Sequence, residues 1–187
     1  MKLDPGQAPP KIEIYCRGLR NPFGFDWDEQ GRLLAGEHGP DADHPEELNW
    51  LRPGKHYGFP YRFGNLAAPM YPDAAVGPAD LLVEKPVLNL GPDAKGIPGP
   101  EYTFHPHSAP CGMTFYRKGT LPARYNNGFF LCRFGNFLGK TKVGFDVLHI
   151  RLQDTPDGLG ARIETFLADL RRPIDICQKD GRLYILE

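Results

Sequence analysis

The chain repeats itself. Residues 12–28, IEIYCRGLRNPFGFDWD, and residues 163–179, IETFLADLRRPIDICQK, carry Ile, Glu, an aromatic, Leu, Arg and Pro at matching positions. Each copy then closes on Gly, Arg, Leu and a final Glu, GRLLAGE from Gly31 and GRLYILE from Gly181. A weaker third copy opens at Ala109, where APCGMTFY matches NPFGFDWD in its Pro, its Gly and its apolar alternation, and NGFFLC supplies its second strand. Repetition on this scale marks architectures in which one small unit is arrayed many times. In each copy a short strand leads through a Gly or Asp turn into a second strand rich in β-branched or aromatic residues, the pattern of an antiparallel meander.

Strands are expected over residues 13–16, 24–27, 32–37, 49–52, 113–116, 128–133, 147–152, 164–168, 174–177 and 183–186, with no helix of three turns. The 22 Gly and 20 Pro fit many turns between short strands. Small antiparallel sheets repeated in this way are the sequence face of an all-β propeller, here one partial domain over residues 1–187. Blade-like repeats fall near residues 11–60, 101–153 and 162–187, and residues 61–100 read as a long loop excursion over the top face. At about 40–50 residues per blade this chain supplies about three blades, whereas propellers close with at least four. It is therefore expected to be part of a larger propeller, or to be completed by another chain.

Composition narrows the partners. A net charge of −1 gives no footprint for nucleic acid or an anionic membrane surface. No apolar stretch is long enough to span a bilayer, and residues 1–10 lack the apolar core of a signal peptide. Cys16, Cys111, Cys132 and Cys177 are too widely spaced for a zinc or redox motif and read as reduced or buried thiols.

Three groups of residues could carry chemistry. Arg20 and Asn21 stand before Pro22, and Arg171 and Arg172 stand before Pro173, at the entrance to repeated inner strands. Arginines repeated around a channel mouth form a cationic ring suited to a ligand with several carboxylates or phosphates; the alternative is that each pairs with an acidic neighbour such as Asp26 or Asp175. Residues 37–49, EHGPDADHPEELN, gather five carboxylates, two His and two Pro, oxygen-rich chemistry that suits Ca²⁺, with a solvated acidic loop as the alternative. Tyr57 with the aromatics around it, and His105 and His107, could floor a sugar site or supply a base. A surface or hydrogen-bonding role is the alternative for either His.

GLRNPFGFDWDEQGRLLAGEHGP followed by EELNWLRPGKHYGFP closely resembles the signature of the soluble quinoprotein sugar dehydrogenases, the glucose/sorbosone dehydrogenase family of six-bladed propellers. FHPHSAPCGMTFY, VGFDVLHIRL and FLADLRRPIDICQKDGRLYILE follow in the order of that family's C-terminal portion. The resemblance covers most of the chain apart from residues 66–100.

The resemblance implies oxidation of an aldose or related polyol by hydride transfer to pyrroloquinoline quinone (PQQ), a tricarboxylate cofactor held with Ca²⁺. It implies that Arg20 and Asn21 contact the quinone, that Arg171 pairs with a cofactor carboxylate, and that Arg133, or Lys140 in a shifted alignment, makes a further basic contact. It assigns the carbonyls of Gly39 and Pro40 to the Ca²⁺ at the cofactor and the Tyr57 region to a neighbouring calcium site. The family's general base is a histidine on an N-terminal blade, and none of the six His here falls in a matching motif. The fragment alone is accordingly expected to be inactive, and a periplasmic or extracellular location follows from the resemblance only. A non-catalytic recognition module and a Ca²⁺-dependent sugar lactonase on the same kind of propeller are the alternatives.

Overall fold

A computed structural model describes residues 1–6, 8–40, 43–63, 66–67, 76–95, 103–136 and 142–187. Strands β1 (Lys2–Asp4) and β2 (Lys11–Glu13) form a hairpin, and β3 (Pro22–Trp27), β4 (Leu33–Glu37) and β5 (Glu47–Leu51) form a three-stranded antiparallel sheet. A two-stranded pair, β6 (Arg62–Phe63) and β7 (Leu66–Ala67), and a short strand, β8 (Leu88–Asn89), lie in the excursion. The second large sheet runs β9 (Pro110–Tyr116), β10 (Gly128–Arg133), β11 (Asp146–Thr155), β12 (Gly158–Leu167), and β13 (Asp175–Lys179) with β14 (Arg182–Leu186) closes the chain. Among the described residues the helical elements are single 3-10 turns at Pro92–Ala94 and Ala123–Tyr125.

The sheets stand side by side as blades, and the period of two along each strand sorts side chains between neighbours. Along β10, Phe129 and Leu131 join Leu34 and Leu48 of the first sheet in one core. Phe130 and Cys132 turn the other way, into a core completed by Ile176, Leu183 and Ile185 of the final hairpin. A strand packed on both faces reads as a continuous apolar run, which is why GFFLC was legible. The outer face of the first sheet is covered by Tyr15, Cys16 and Leu19. Phe23, Phe25 and Trp27 on that same face are 50%, 56% and 47% exposed, and Tyr184 and Leu186 on the far side of β14 are 50% and 62% exposed.

Three expectations are corrected. The strand expected at residues 13–16 is confined to β2, because Tyr15 and Cys16 turn under the first sheet, where the Tyr15 carbonyl accepts the Gly54 N–H at 2.7 Å. The strand expected at 164–168 is the end of β12, the outer strand of the second blade, and does not open a third one. The sequence repeat is thus out of phase with the blades: the copy at residues 163–179 begins on β12, the outer strand of the second blade, and continues into the inner strand β13. Nor is the described part of the excursion a loop over the top face. Leu88 and Asn89 pair in parallel with Gly160 and Ala161 at the outer edge of the second sheet, and the Val87 N–H bonds to Leu48 in the first.

Inner strands β3, β9 and β13 pack edge to edge, and two glycines permit the approach. A Cβ on Gly24 would lie 2.3 Å from the Cys111 carbonyl oxygen and 2.7 Å from the Met113 nitrogen, and one on Gly112 would lie 2.5 Å from the Asp175 Cα. Asp26, on the same face of β3 as Gly24, reaches across to accept the Phe115 N–H at 2.8 Å. The third copy carries Asp175 where the other two carry Gly24 and Gly112. Replacing Gly24 or Gly112 by Ala should lower the free energy of unfolding by about 1–3 kcal/mol through overpacking against backbone; unchanged urea midpoints would contradict this account of the inner strands.

Candidate functional site

Residues Arg20 and Asn21 precede β3, Ala109 precedes β9, and Arg171 and Arg172 precede β13, and β9 packs against both β3 and β13, so the candidate mouth is the N-terminal end of these three strands. Between the strands lies an open cleft of about 430 Å³, lined by residues that include Phe23, Gly24, Met113, Ile174 and Asp175.

A buried carboxylate builds the first side of this mouth. Glu37 ends β4 with no exposed surface and takes the main-chain N–H groups of Arg20 and, at 3.3 Å, Asn21 on one oxygen. Its other oxygen accepts from Asn49 Nδ2 at 3.0 Å, and the same nitrogen donates to Glu47 at 2.9 Å. Burial, and then the nearby Glu47 charge, push the Glu37 carboxyl well above the ordinary range. Glu37 therefore acts as a clasp that sets the turn presenting Arg20 and Asn21. Beyond it, Arg20 Nη1 donates to the His38 carbonyl at 3.3 Å, and Asn21 Nδ2 meets His38 Nδ1 at 3.3 Å.

Arg171 and Arg172 stand in the turn before β13. The Arg171 N–H is held by the Glu187 carboxylate, and Phe145, Arg171, Arg172 and Glu187 line a cleft of about 670 Å³. The Arg172 guanidinium lies over Phe134 at 4.7 Å and over Phe145 at 5.3 Å, and its Nη1 is buried with no protein acceptor among the described residues. The acidic neighbours Asp26 and Asp175 are engaged with main chain, Asp26 with Trp27 and Phe115 and Asp175 with Ile176.

Other expected residues fall elsewhere. Arg133 is 4% exposed on β10, with Nε and Nη2 on Asp146 at 2.8 and 2.6 Å and Nη2 on Asp93 at 3.0 Å. Burial opposes its charge, and the two carboxylates outweigh that and raise its pKa. Its guanidinium joins β10, β11 and the Pro92 turn and is not offered at the mouth. Lys140 lies outside the described residues. The Tyr57 hydroxyl donates to the Trp50 carbonyl at 2.6 Å and accepts from the Arg52 N–H at 2.8 Å, so only its main chain remains for a cation. His107 pairs with Asp43 at 3.0 Å.

Of the carboxylates in the acidic segment, Glu37, Glu46 and Glu47 are not solvated, whereas Asp43 is exposed. Glu46 and Glu47 are 5% and 2% exposed where β5 begins, and Glu46 Oε2 has no partner among the described residues. Burial pushes the Glu46 carboxyl up to about 8, against main-chain N–H bonds from Ala109 and His107. Gly39 and Pro40 follow His38, and a Cβ on Gly39 would lie 3.3 Å from the carbonyl oxygens of His44 and Pro45, so this turn gathers main-chain oxygens. Sequence reasoning missed Glu37 and Asn49 as organisers of the mouth. Their signal was polar residues inside LLAGE and ELNWL, strands that are otherwise apolar.

Comparison with known proteins identifies the family and the fold. Residues 4–186 match the family described as Glucose / Sorbosone dehydrogenase. The chain belongs to that family. A solved glucose dehydrogenase superposes with a TM-score of 0.59 at 26% identity, over 97% of this chain and 44% of that one. The PQQ-bound aldose sugar dehydrogenase of Streptomyces coelicolor gives 0.52 at 19% identity, over 92% of this chain and 38% of that one. Quinoprotein glucose dehydrogenase B of Acinetobacter calcoaceticus is 43% identical over 47 residues, 25% of this chain and 9% of that protein. The sheets described above are thus blades of a family propeller, and the chain spans less than half the length of these relatives. Among the described residues no helix is long and apolar enough to cross a membrane.

Two outcomes follow. Glu46 holds its proton more tightly folded than unfolded, where a Glu titrates near about 4.3, so its contribution to stability is lost as pH rises toward 8. Without calcium, the melting temperature should fall between about pH 7 and 8, above the range of the ordinary histidine pKa, and Glu46→Gln should lessen that slope, leaving the part carried by the raised Glu37 carboxyl; a rise with pH in the wild type would contradict it. Arg133→Ala should cost about 3–5 kcal/mol in urea unfolding by stranding two buried carboxylates, and a loss below 1 kcal/mol would show that Asp93 and Asp146 do not depend on it.

Proposed function

We propose that this chain forms the cofactor-binding portion of a PQQ-dependent dehydrogenase acting on an aldose or related polyol. The observation that carries the reading is the Arg172 guanidinium in the turn before β13, whose Nη1 is buried without an acceptor among the described residues, at a place in the sequence repeat that matches Asn21 in the Arg20–Asn21 turn before β3. A buried guanidinium N–H with no partner is costly, and a ligand carboxylate is the group that would relieve it.

The residues present fit the cofactor's chemistry. Arg20, Arg171 and Arg172 would hold carboxylates, with the flat Phe134 and Phe145 rings limiting how the Arg172 fork can turn. The Asn21 amide would hydrogen-bond the quinone. The main-chain carbonyls of Gly39 and Pro40 would supply hard oxygen donors to Ca²⁺. When bound, PQQ supplies the two-electron acceptor that takes a hydride from the sugar carbon. Proton abstraction is assigned to no residue of this chain. The exposed Phe23, Phe25 and Trp27 at one end of the arc, and Tyr184 and Leu186 at the other, are the faces on which further blades would pack.

Titration of the folded chain with PQQ, with and without Ca²⁺, following Trp27 and Trp50 fluorescence, tests the reading. Saturable, calcium-dependent binding is expected, weakened about 10- to 100-fold in Arg172→Ala by loss of a charge-assisted hydrogen bond. No binding would favour a propeller used for recognition without a quinone, and binding indifferent to Arg172 would contradict its role.

A further inference from the structure

His38 lies where the inner strands of the first and second blades begin, and besides a 3.9 Å contact of Nε2 with Cys111 Sγ its contacts run in five directions. Its main-chain N–H donates to the Asn21 carbonyl at 3.2 Å, and its carbonyl accepts from Arg20 Nη1 at 3.3 Å. Its ring stacks on Phe23 at 5.9 Å with 6° between planes. Nε2 is 2.9 Å from the Pro110 carbonyl oxygen at the start of β9, and Nδ1 is 3.3 Å from Asn21 Nδ2.

These contacts decide the state of the ring. A carbonyl oxygen can only accept, so the imidazole hydrogen must sit on Nε2, which leaves Nδ1 as an acceptor for the Asn21 amide nitrogen. That choice also decides the orientation of Asn21, because the end of the amide that meets the ring must be its nitrogen. The oxygen is then the end left for a ligand at the mouth. A His with the hydrogen on Nδ1 would set donor against donor at Asn21 and leave the Pro110 carbonyl without its bond.

We infer that His38 is a positioning residue for the cofactor site: it ties the Arg20–Asn21 turn to the second inner strand through Pro110 and fixes which face of the Asn21 amide is presented to the quinone. The inference rests on the PQQ reading above. Contact with the ligand is not part of this role. The ring acts through Asn21 and Arg20, which belong to the first inner strand, and through Pro110, which belongs to the second. It therefore ties together at the mouth two strands that Gly24 and the Asp26–Phe115 bond hold close deeper in the cleft.

Two measurements test this, one of them without any ligand. A proton–nitrogen correlation spectrum of the apo chain should show His38 protonated at Nε2 and bare at Nδ1; a hydrogen on Nδ1 would overturn the inference whatever the chain binds. Titration with PQQ and Ca²⁺ should show affinity lowered about 10-fold in His38→Ala. His38→Gln, whose amide nitrogen can still donate to Pro110, should recover most of the loss. Wild-type binding with undiminished affinity in His38→Ala would overturn the role of His38 and leave the cofactor site standing. Failure of the folded wild type to bind would overturn the cofactor site, and the inference with it.

Discussion

The close approach of the inner strands governs everything at the mouth of this arc. Gly24 and Gly112 let β3, β9 and β13 lie with backbone against backbone, at distances where any side chain would collide. Because Asp26 then reaches the Phe115 N–H, the blades are joined by a polar contact as well as by apolar packing. The same approach sets the turns before these strands at the N-terminal ends of strands that pack on one another. The proposed site draws on Arg20 and Asn21 from one of these turns and Arg171 and Arg172 from another.

A second level of order rests on buried polar groups. Glu37 holds two main-chain N–H groups of the Arg20–Asn21 turn and shares the Asn49 amide with Glu47. Leaving these donors unmatched would cost more than the bonds themselves contribute. His38 continues the same network outward to Pro110. Arg133 performs a related task deeper in the second sheet, where Asp93 and Asp146 surround it. The chain thus uses some of its charged residues to shape a site and others to hold a sheet, and residue type alone does not separate the two.

The strands were legible where apolar residues run or alternate, as in GFFLC and LLAGE, because a strand sandwiched between blades must be apolar on both faces. The turns that carry Arg20 with Asn21 and Arg171 with Arg172 were legible because each stands before a Pro at the entrance to an inner strand. Blade boundaries were not: the repeat is strongest across the turn between an outer strand and the next inner strand, so similarity marks the junction between blades. The fate of Arg133 was hidden because its partners lie at Asp93 and Asp146, 40 and 13 residues away along the chain. Glu46 and Glu47 looked like solvated acids because nothing local reveals that Phe104 crosses to bridge with Glu46 and that β5 begins there.

The central claim is that the opening between the Arg20 and Arg172 turns is where a polycarboxylate quinone binds. The most direct test is a crystal structure of the chain grown with PQQ and Ca²⁺. The account predicts the quinone in that opening, a cofactor carboxylate within hydrogen-bond reach of Arg172 Nη1 and the cation on the carbonyls of Gly39 and Pro40. A quinone bound elsewhere, such as the groove between Trp50, Lys85 and Asp157, with the Arg172 side chain unchanged, would contradict it.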